Sequence, residues 1–398
     1  MRPLPITAAT LTSCLGRGVE ATRTRLASGA SGLTPCHFET ANLDTYVGEI
    51  EGLDAVRLPA ALAAFDCRNN RAAEMALATD GFEEAVRRAA ARYGASRIAV
   101  FAGTSTAGIL QAELAYRRRD PRDGSLPADF DYRHTHNTFS VAAYLRERLG
   151  LAGPCAAIST ACSSSAKAFS SGLRAITAGL ADAVVVAGVD TLCLTTLYGF
   201  GSLSLLSAGP CRPYDAQREG ISIGEAAALF LLEREPAGDW DISLVGVGES
   251  SDAHHMSAPH PQGRGAREAM EAALRSAGVG PGAIDYVNLH GTGTLSNDAA
   301  EDLAVTAIFG TAVPCNSTKG LTGHALGASG GVEAMISMLA IRDARIPPSA
   351  GTRRIDPALH ARYEVAGCER PIRRVMSNSF GFGGSNCSLV FAARDGAP

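Results

Sequence analysis

The chain has 398 residues, a formal net charge of -4, 46% hydrophobic and 19% charged residues. That composition fits an ordinary soluble protein with room for two core-bearing units. A near-neutral balance gives no reason to expect nucleic acid or a membrane surface as partner, and the composition argues against disorder. The ten cysteines are scattered without a C-x-x-C pair, so neither a zinc ribbon nor a disulfide scaffold is indicated.

From the amino end, the first fifteen residues lack a basic stretch leading into a sustained apolar core, so no secretory signal is expected. A helical pattern covers about residues 70–93, and strands are predicted over 97–104, 155–160 and 183–189. The charged run 117–124 reads as an exposed loop. A junction bearing charge, proline and glycine at 233–238 opens a second half. Its strands are predicted over 242–247, 284–289 and 313–317, and its helices over 266–277, 298–308 and 332–341. Apolar runs such as 183–189 and 226–232 are too short to span a bilayer, so a reducing cytoplasm with free thiols is expected. Alternating strands and helices predict an α/β architecture. Each half places a strand, a turn of small residues and a helix in its middle, which points to duplicated halves.

In the first half that turn is Ile158-Ser159-Thr160-Ala161-Cys162-Ser163-Ser164-Ser165-Ala166, without charge or bulk. Behind it, Ala166, Phe169, Leu173, Ile176 and Leu180 alternate steps of three and four, an amphipathic helix. Cys162 therefore sits where unpaired helix N–H groups favour a thiolate. A reactive thiol and a buried structural cysteine both fit this segment taken alone.

Three other segments end strands in glycine-rich turns. They are Asn288-Leu289-His290-Gly291-Thr292-Gly293-Thr294, the stretch from Asn316 through Lys319 and His324 to Gly331, and Ser377-Asn378-Ser379-Phe380-Gly381-Phe382-Gly383-Gly384-Ser385-Asn386. No phosphate-cradling G-x-x-x-x-G-K-[ST] or G-x-G-x-x-G stands between a strand and a helix. His134 and His136 are spaced to share a strand face, and His254, His255 and His260 cluster. No carboxylate or cysteine completes a ligand set with them, so no metal site is expected.

The four segments, in this order, resemble the active-site motifs of elongating β-ketoacyl-acyl-carrier-protein synthases of the thiolase superfamily. The resemblance runs from Thr12-Ser13-Cys14-Leu15-Gly16-Arg17-Gly18 to the Phe-Gly-Phe-Gly-Gly hairpin. It implies a five-layered αβαβα thiolase fold with two halves, 1–235 carrying the nucleophile and 236–398 carrying both histidines. It implies Cys162 as acyl acceptor, and His290 and His324 as neutral donors for decarboxylation of a malonyl thioester. Lys319 and Glu333 would order that network, and the N–H groups of Cys162 and Phe382 would form the oxyanion hole, with Phe382 also a gate. Thr292, Thr294 and Phe380 would contact the substrate arm, and Arg212 would face the acyl carrier protein. No bound cofactor is implied, since the phosphopantetheine arm of the carrier brings the substrates.

A pair of histidines, rather than histidine with asparagine or a second cysteine, matches decarboxylative elongation. Cys162 distinguishes the chain from chain-length factors, which lack it. The family assembles as a dimer, with an identical copy or with a chain-length-factor-like subunit. The polar segment 65–71, the turn 103–109 and Leu197-Tyr198-Gly199-Phe200 resemble synthases of aryl-polyene pathways. Two other functions remain open at this stage, a carrier-binding partner subunit and a cysteine-dependent thioester hydrolase.

Overall fold

The computed structural model describes residues 1–394. Its framework is ten strands: β1 (Leu4–Ser13), β2 (Ile98–Gly103), β3 (Cys155–Ile158), β4 (Ala183–Asp190), β5 (Ala226–Glu233), β6 (Ile242–Ser251), β7 (Tyr286–Asn288), β8 (Cys315–Asn316), β9 (Arg374–Phe380) and β10 (Ser385–Ala393). In space they run β8-β7-β9-β10-β6-β1-β5-β4-β2-β3. The first five strands and the last five thus follow the same spatial order. Their directions match as well. β2 is parallel to β3 and β4 as β7 is to β8 and β9, and the remaining pairings within each set are antiparallel. The two sets join where Leu4, Pro5 and Ile6 pair with Leu244, Ser243 and Ile242.

Helices that cover these sheets include α1 (Arg68–Leu77), α2 (Phe82–Tyr93), α3 (Ser140–Arg148), α4 (Ser164–Thr177), α5 (Arg264–Ala277), α6 (Leu295–Phe309) and α7 (Ser329–Arg342). Strands such as β4 and β5 are buried at every residue, as expected where helices lie on both faces. One apolar core joins α1, α2 and α3 to the first sheet. Another joins α5 and α6 to the second sheet. The largest lies between the sheets, where Phe169 of α4 and Val332 and Ile336 of α7 pack with Phe230 and Phe391. The sequence of layers is αβαβα, the thiolase fold predicted from the motifs.

The structure corrects three local expectations. The helix over 70–93 is two helices, because Asp80 and Gly81 take left-handed backbone angles of φ 55° and 68°. Asp80 is held there by Thr10 Oγ1 and the Val19 N–H, which donate to its carboxylate at 2.7 and 2.9 Å. His134 and His136 share no strand face. They lie in a single π-helical turn, Tyr132–His136, capped by Asp131. The strand expected over 155–160 stops at Ile158, and β3 is only half-buried because it ends the sheet.

The polar segment 65–71 turns inward. Arg68 forms a two-pronged ion pair with buried Glu225 at 2.6 and 2.9 Å, and Asn69 donates to Thr104 Oγ1 and the Val189 carbonyl, both at 3.1 Å. Its polar groups are therefore satisfied by internal bonding.

Candidate active site

β3 leads into the Cys162 turn, and the chain reverses there through Ala161, a non-glycine residue at φ 53°. Such a conformation costs about 1–3 kcal/mol and persists only where surroundings enforce it. Here Ser164 Oγ spans the turn, accepting from the Thr160 N–H at 2.9 Å and donating to the Ala161 carbonyl at 2.6 Å. The turn delivers the Cys162 sulfur in front of α4, which begins two residues later.

The second half supplies the facing wall. β7 ends at Asn288, two residues before His290, and α6 then begins with Thr294 as its cap, whose hydroxyl accepts from the Asn297 N–H at 3.3 Å. β8 leads into a longer turn containing a short helix at Lys319–Thr322, then His324, before α7 starts. The two turns meet because α4 and α7 approach at their N-termini. A Cβ on Gly330 would stand 2.7 Å from the Ala166 nitrogen, so only glycine permits the approach. The Gly331 N–H donates to Ser165 Oγ at 2.9 Å, bonding one half to the other.

The outcome is convergence. His324 Nε2 lies 3.0 Å from Cys162 Sγ, and the His290 and His324 rings meet edge to face with centroids 5.2 Å apart. All three residues are buried. Lys319 Nζ bonds the His290 carbonyl and the Glu333 carboxylate, and stands 3.5 Å from His290 Nδ1. Ser329 Oγ bonds His324 Nδ1 at 2.8 Å. Phe382 presents its backbone N–H to the Cys162 sulfur. An open cleft of about 600 Å³ reaches these groups, lined also by Thr292, Thr294, Phe380 and Phe382. Arg212 lies beside the threonine turn, since a Cβ on Gly293 would be 3.5 Å from its nitrogen. Its guanidinium is half-buried, donates to the Gln217 carbonyl at 2.9 Å and pairs with Glu219 at 3.7 Å.

Electrostatics alter one expectation. Burial pushes the Cys162 thiol up to about 11, against the Phe382 N–H and the charge of Lys319, which act to lower it. The resting group is a thiol, and a base must take its proton. Burial also holds both imidazoles well below the ordinary histidine value, with Lys319 and, for His290, His324 adding to the effect. Both rings are neutral at pH 7. Glu333 is raised to about 7 by burial, with Lys319 opposing.

Three supporting residues escaped sequence reasoning. Glu301 of α6 accepts the backbone N–H groups of His290 and Gly291 at 2.9 and 2.7 Å, fixing that turn. Asp190, buried at the end of β4, accepts from Thr104, Ser105, Thr106 and the Gly327 N–H, tying the first half to the His324 turn. Ser329 stood inside a recognised motif without a role. An acidic residue eleven positions after a histidine carries no visible signal, because only the fold of α6 against the turn brings the two together.

Comparison with known proteins agrees with this geometry. Residues 1–237 match the N-terminal domain of β-ketoacyl synthase and residues 242–353 its C-terminal domain. The chain belongs to the β-ketoacyl synthase family. It is 32% identical to 3-oxoacyl-acyl-carrier-protein synthase 2 of Vibrio cholerae, across 98% of this chain and 99% of that relative. Among solved structures, the ketosynthase ApeO of Xenorhabdus doucetiae, in complex with its chain length factor ApeC, is 39% identical over 98% of each chain, with a TM-score of 0.90. A β-ketoacyl synthase from Burkholderia phymatum is 27% identical, spanning 99% of this chain and 100% of that one, with a TM-score of 0.86. As a β-ketoacyl synthase, the chain is an acyltransferase that lengthens an acyl chain by forming a carbon–carbon bond. Among the described residues no helix is long and apolar enough to cross a membrane.

Proposed function

We propose that this synthase works through Cys162, His290 and His324 on thioesters delivered by an acyl carrier protein. The observation that carries the reading is the 3.0 Å contact of Cys162 Sγ with His324 Nε2, with His290 against the same ring. In the first step Sγ attacks the carrier thioester. His324 Nε2 takes the thiol proton and passes it to the departing carrier sulfur, dividing a difficult reaction into easier ones. The N–H groups of Cys162 and Phe382 hold the oxyanion, and loss of one such donor typically costs about 10²–10³ in rate.

In the second step a malonyl thioester loses carbon dioxide, and the electron pair of the broken bond moves onto the thioester as an enolate. An ammonium has only donors, so Lys319 beside His290 Nδ1 leaves the other ring nitrogen protonated and able to donate to that enolate. Ser329 can either donate or accept at His324 Nδ1, so the same ring can be a base in the first step and a donor in the second. The carbanion then attacks the acyl-Cys162 carbonyl, the new carbon–carbon bond forms, and the Cys162 sulfur leaves as a thiolate that takes a proton from water through His324 Nε2 to restore the thiol. Glu333 balances the Lys319 charge.

We read Thr292, Thr294 and Phe380 as contacts of the phosphopantetheine arm. Phe382 is the gate: Gly383 beside it takes φ 80°, and its ring meets Phe200 at 5.5 Å. Arg212 is read as a carrier contact, and residues 1–235 and 236–398 as two thiolase-like halves. The likeness to ApeO in complex with its chain length factor supports pairing with a similar subunit. An aryl-polyene substrate class rests on the resemblance of segments 65–71, 103–109 and 197–200, and a reducing cytoplasm on the free cysteines. The free outer edge of β3, which has no strand partner among the described residues, also suits a paired subunit.

Mass spectrometry of protein from its host is expected to find an acyl adduct on Cys162 whose mass identifies the chain. Purified protein given saturated and aryl-enoyl carrier thioesters is expected to prefer the latter. Release of free acid without a β-ketoacyl product would identify a hydrolase instead.

A further inference from the structure

The three converging groups form a ligand set as well as a catalytic one. Cys162 Sγ and one ring nitrogen from each of His290 and His324 lie within 4.8 Å of one another, all buried. A zinc ion takes sulfur at about 2.3 Å and imidazole nitrogen at about 2.0–2.1 Å in a tetrahedron, so its ligand atoms stand roughly 3.3–3.6 Å apart. Sγ and His324 Nε2, at 3.0 Å, need to open slightly, and the wider pairs need to close by about an ångström, within the reach of side-chain rotation.

Other features of the site fit such an ion. Ser329 already holds the far nitrogen of His324, the outer contact that orients a metal-binding imidazole. The three side chains fill three of four positions, and the cleft leaves the fourth open to water. Lys319 opposes a second cation, but its ammonium is paired with Glu333. Its 3.5 Å contact with His290 Nδ1 must be given up, as must the hydrogen bond between Cys162 Sγ and His324 Nε2. A hard cation such as magnesium prefers oxygen ligands and gains little here, whereas thiolate and imidazole suit zinc.

We propose that Cys162, His290 and His324 form a reversible inhibitory site for zinc, separate from any need for metal in the reaction. On binding, the Cys162 S–H bond breaks, a sulfur–zinc bond forms, and the proton leaves to buffer, with no change of oxidation state. The metal-bound sulfur cannot attack a thioester, and both imidazoles lose the nitrogens that face the cleft. Zinc and acyl group therefore exclude each other.

The test measures binding directly, so its result does not depend on which substrate the enzyme uses. Metal-free protein is titrated with zinc against a chromophoric chelator, and cobalt is used as a spectroscopic substitute. One tight zinc per chain is expected, with a sulfur-to-cobalt charge-transfer band. Zinc should slow iodoacetamide labelling of Cys162 at least tenfold, reversed by EDTA, while magnesium leaves labelling unchanged. Wild-type protein already alkylated at Cys162 should lose the tight site and the band, which requires no variant to fold. Cys162→Ser and His290→Ala should each weaken zinc by at least tenfold. Undiminished binding after alkylation, or zinc that leaves the labelling rate unchanged, overturns the proposal and places any bound metal elsewhere.

Discussion

The Cys162 turn and the His324 turn occupy equivalent places in the two repeated strand orders, each between a third strand and a central helix. They have diverged in opposite directions. The first is short, bends through one strained alanine and sets a single sulfur before α4. The second is long, wraps a helical turn around Lys319, and buries every residue from Cys315 to Ile336. Cys162 is nonetheless buried like the histidines, because both turns meet at the same end of the cleft. Neutral imidazoles and a paired ammonium need to be kept dry, so much chain surrounds them. The same strand order thus carries a lone sulfur in one half and a desolvated imidazole–ammonium cluster in the other.

The comparison can be broken at either turn. The largest effect is expected at the histidines, about 10²–10⁴ in condensation rate for His324→Ala or His290→Ala. His324 touches the sulfur, so His324→Ala should also slow acylation of Cys162 in a rapid-quench assay. His290→Ala should leave acylation close to wild type and abolish malonyl decarboxylation. Equal loss of acylation in both would mean the two donors are not divided in this way.

The next effect concerns the thiol. With its pKa pushed up to about 11, the thiolate fraction climbs about tenfold per pH unit between pH 7 and 10. The alkylation rate of Cys162 should rise in proportion over that range. A plateau below pH 8 would show that the helix N-terminus prevails over burial.

A smaller effect is expected where the two turns are held together. In Gly330→Val the new side chain must displace Ala166, so α4 and α7 separate, at a cost of about 1–3 kcal/mol in denaturant unfolding. Its kcat should fall while KM changes little, because the sulfur and His324 are drawn apart. The smallest effect is at the mouth. Arg212→Glu is expected to raise KM for the carrier substrate by about three- to tenfold with kcat nearly intact, and an unchanged KM would remove Arg212 from the docking surface.

The motifs that bear the chemistry could be read from the sequence, because each is a short run of small residues at a strand end, where local chemistry shows. The strands and helices next to them were legible for the same reason. What lay hidden depends on residues far apart in the chain. Glu225 neutralises Arg68 across 157 positions, and Asp190 reaches Gly327 across 137, so neither bond is visible in the local sequence. The break between α1 and α2 was missed because Asp80 serves β1 rather than its own helix. The resting state of Cys162 was misjudged because helix dipoles follow from local sequence, whereas desolvation requires the whole surrounding structure.

Among the described residues the sheets of the two repeats join along the three-residue seam from Leu4 to Ile6, and the connection between the repeats is exposed at Ala237, Gly238 and Asp239. A protease that nicked this connection would not by itself stop turnover, because the reacting atoms are held across the interior by α4 and α7. Neither fragment could then work without the other. Co-expressed as two polypeptides, they would make activity a direct report of whether they had found each other.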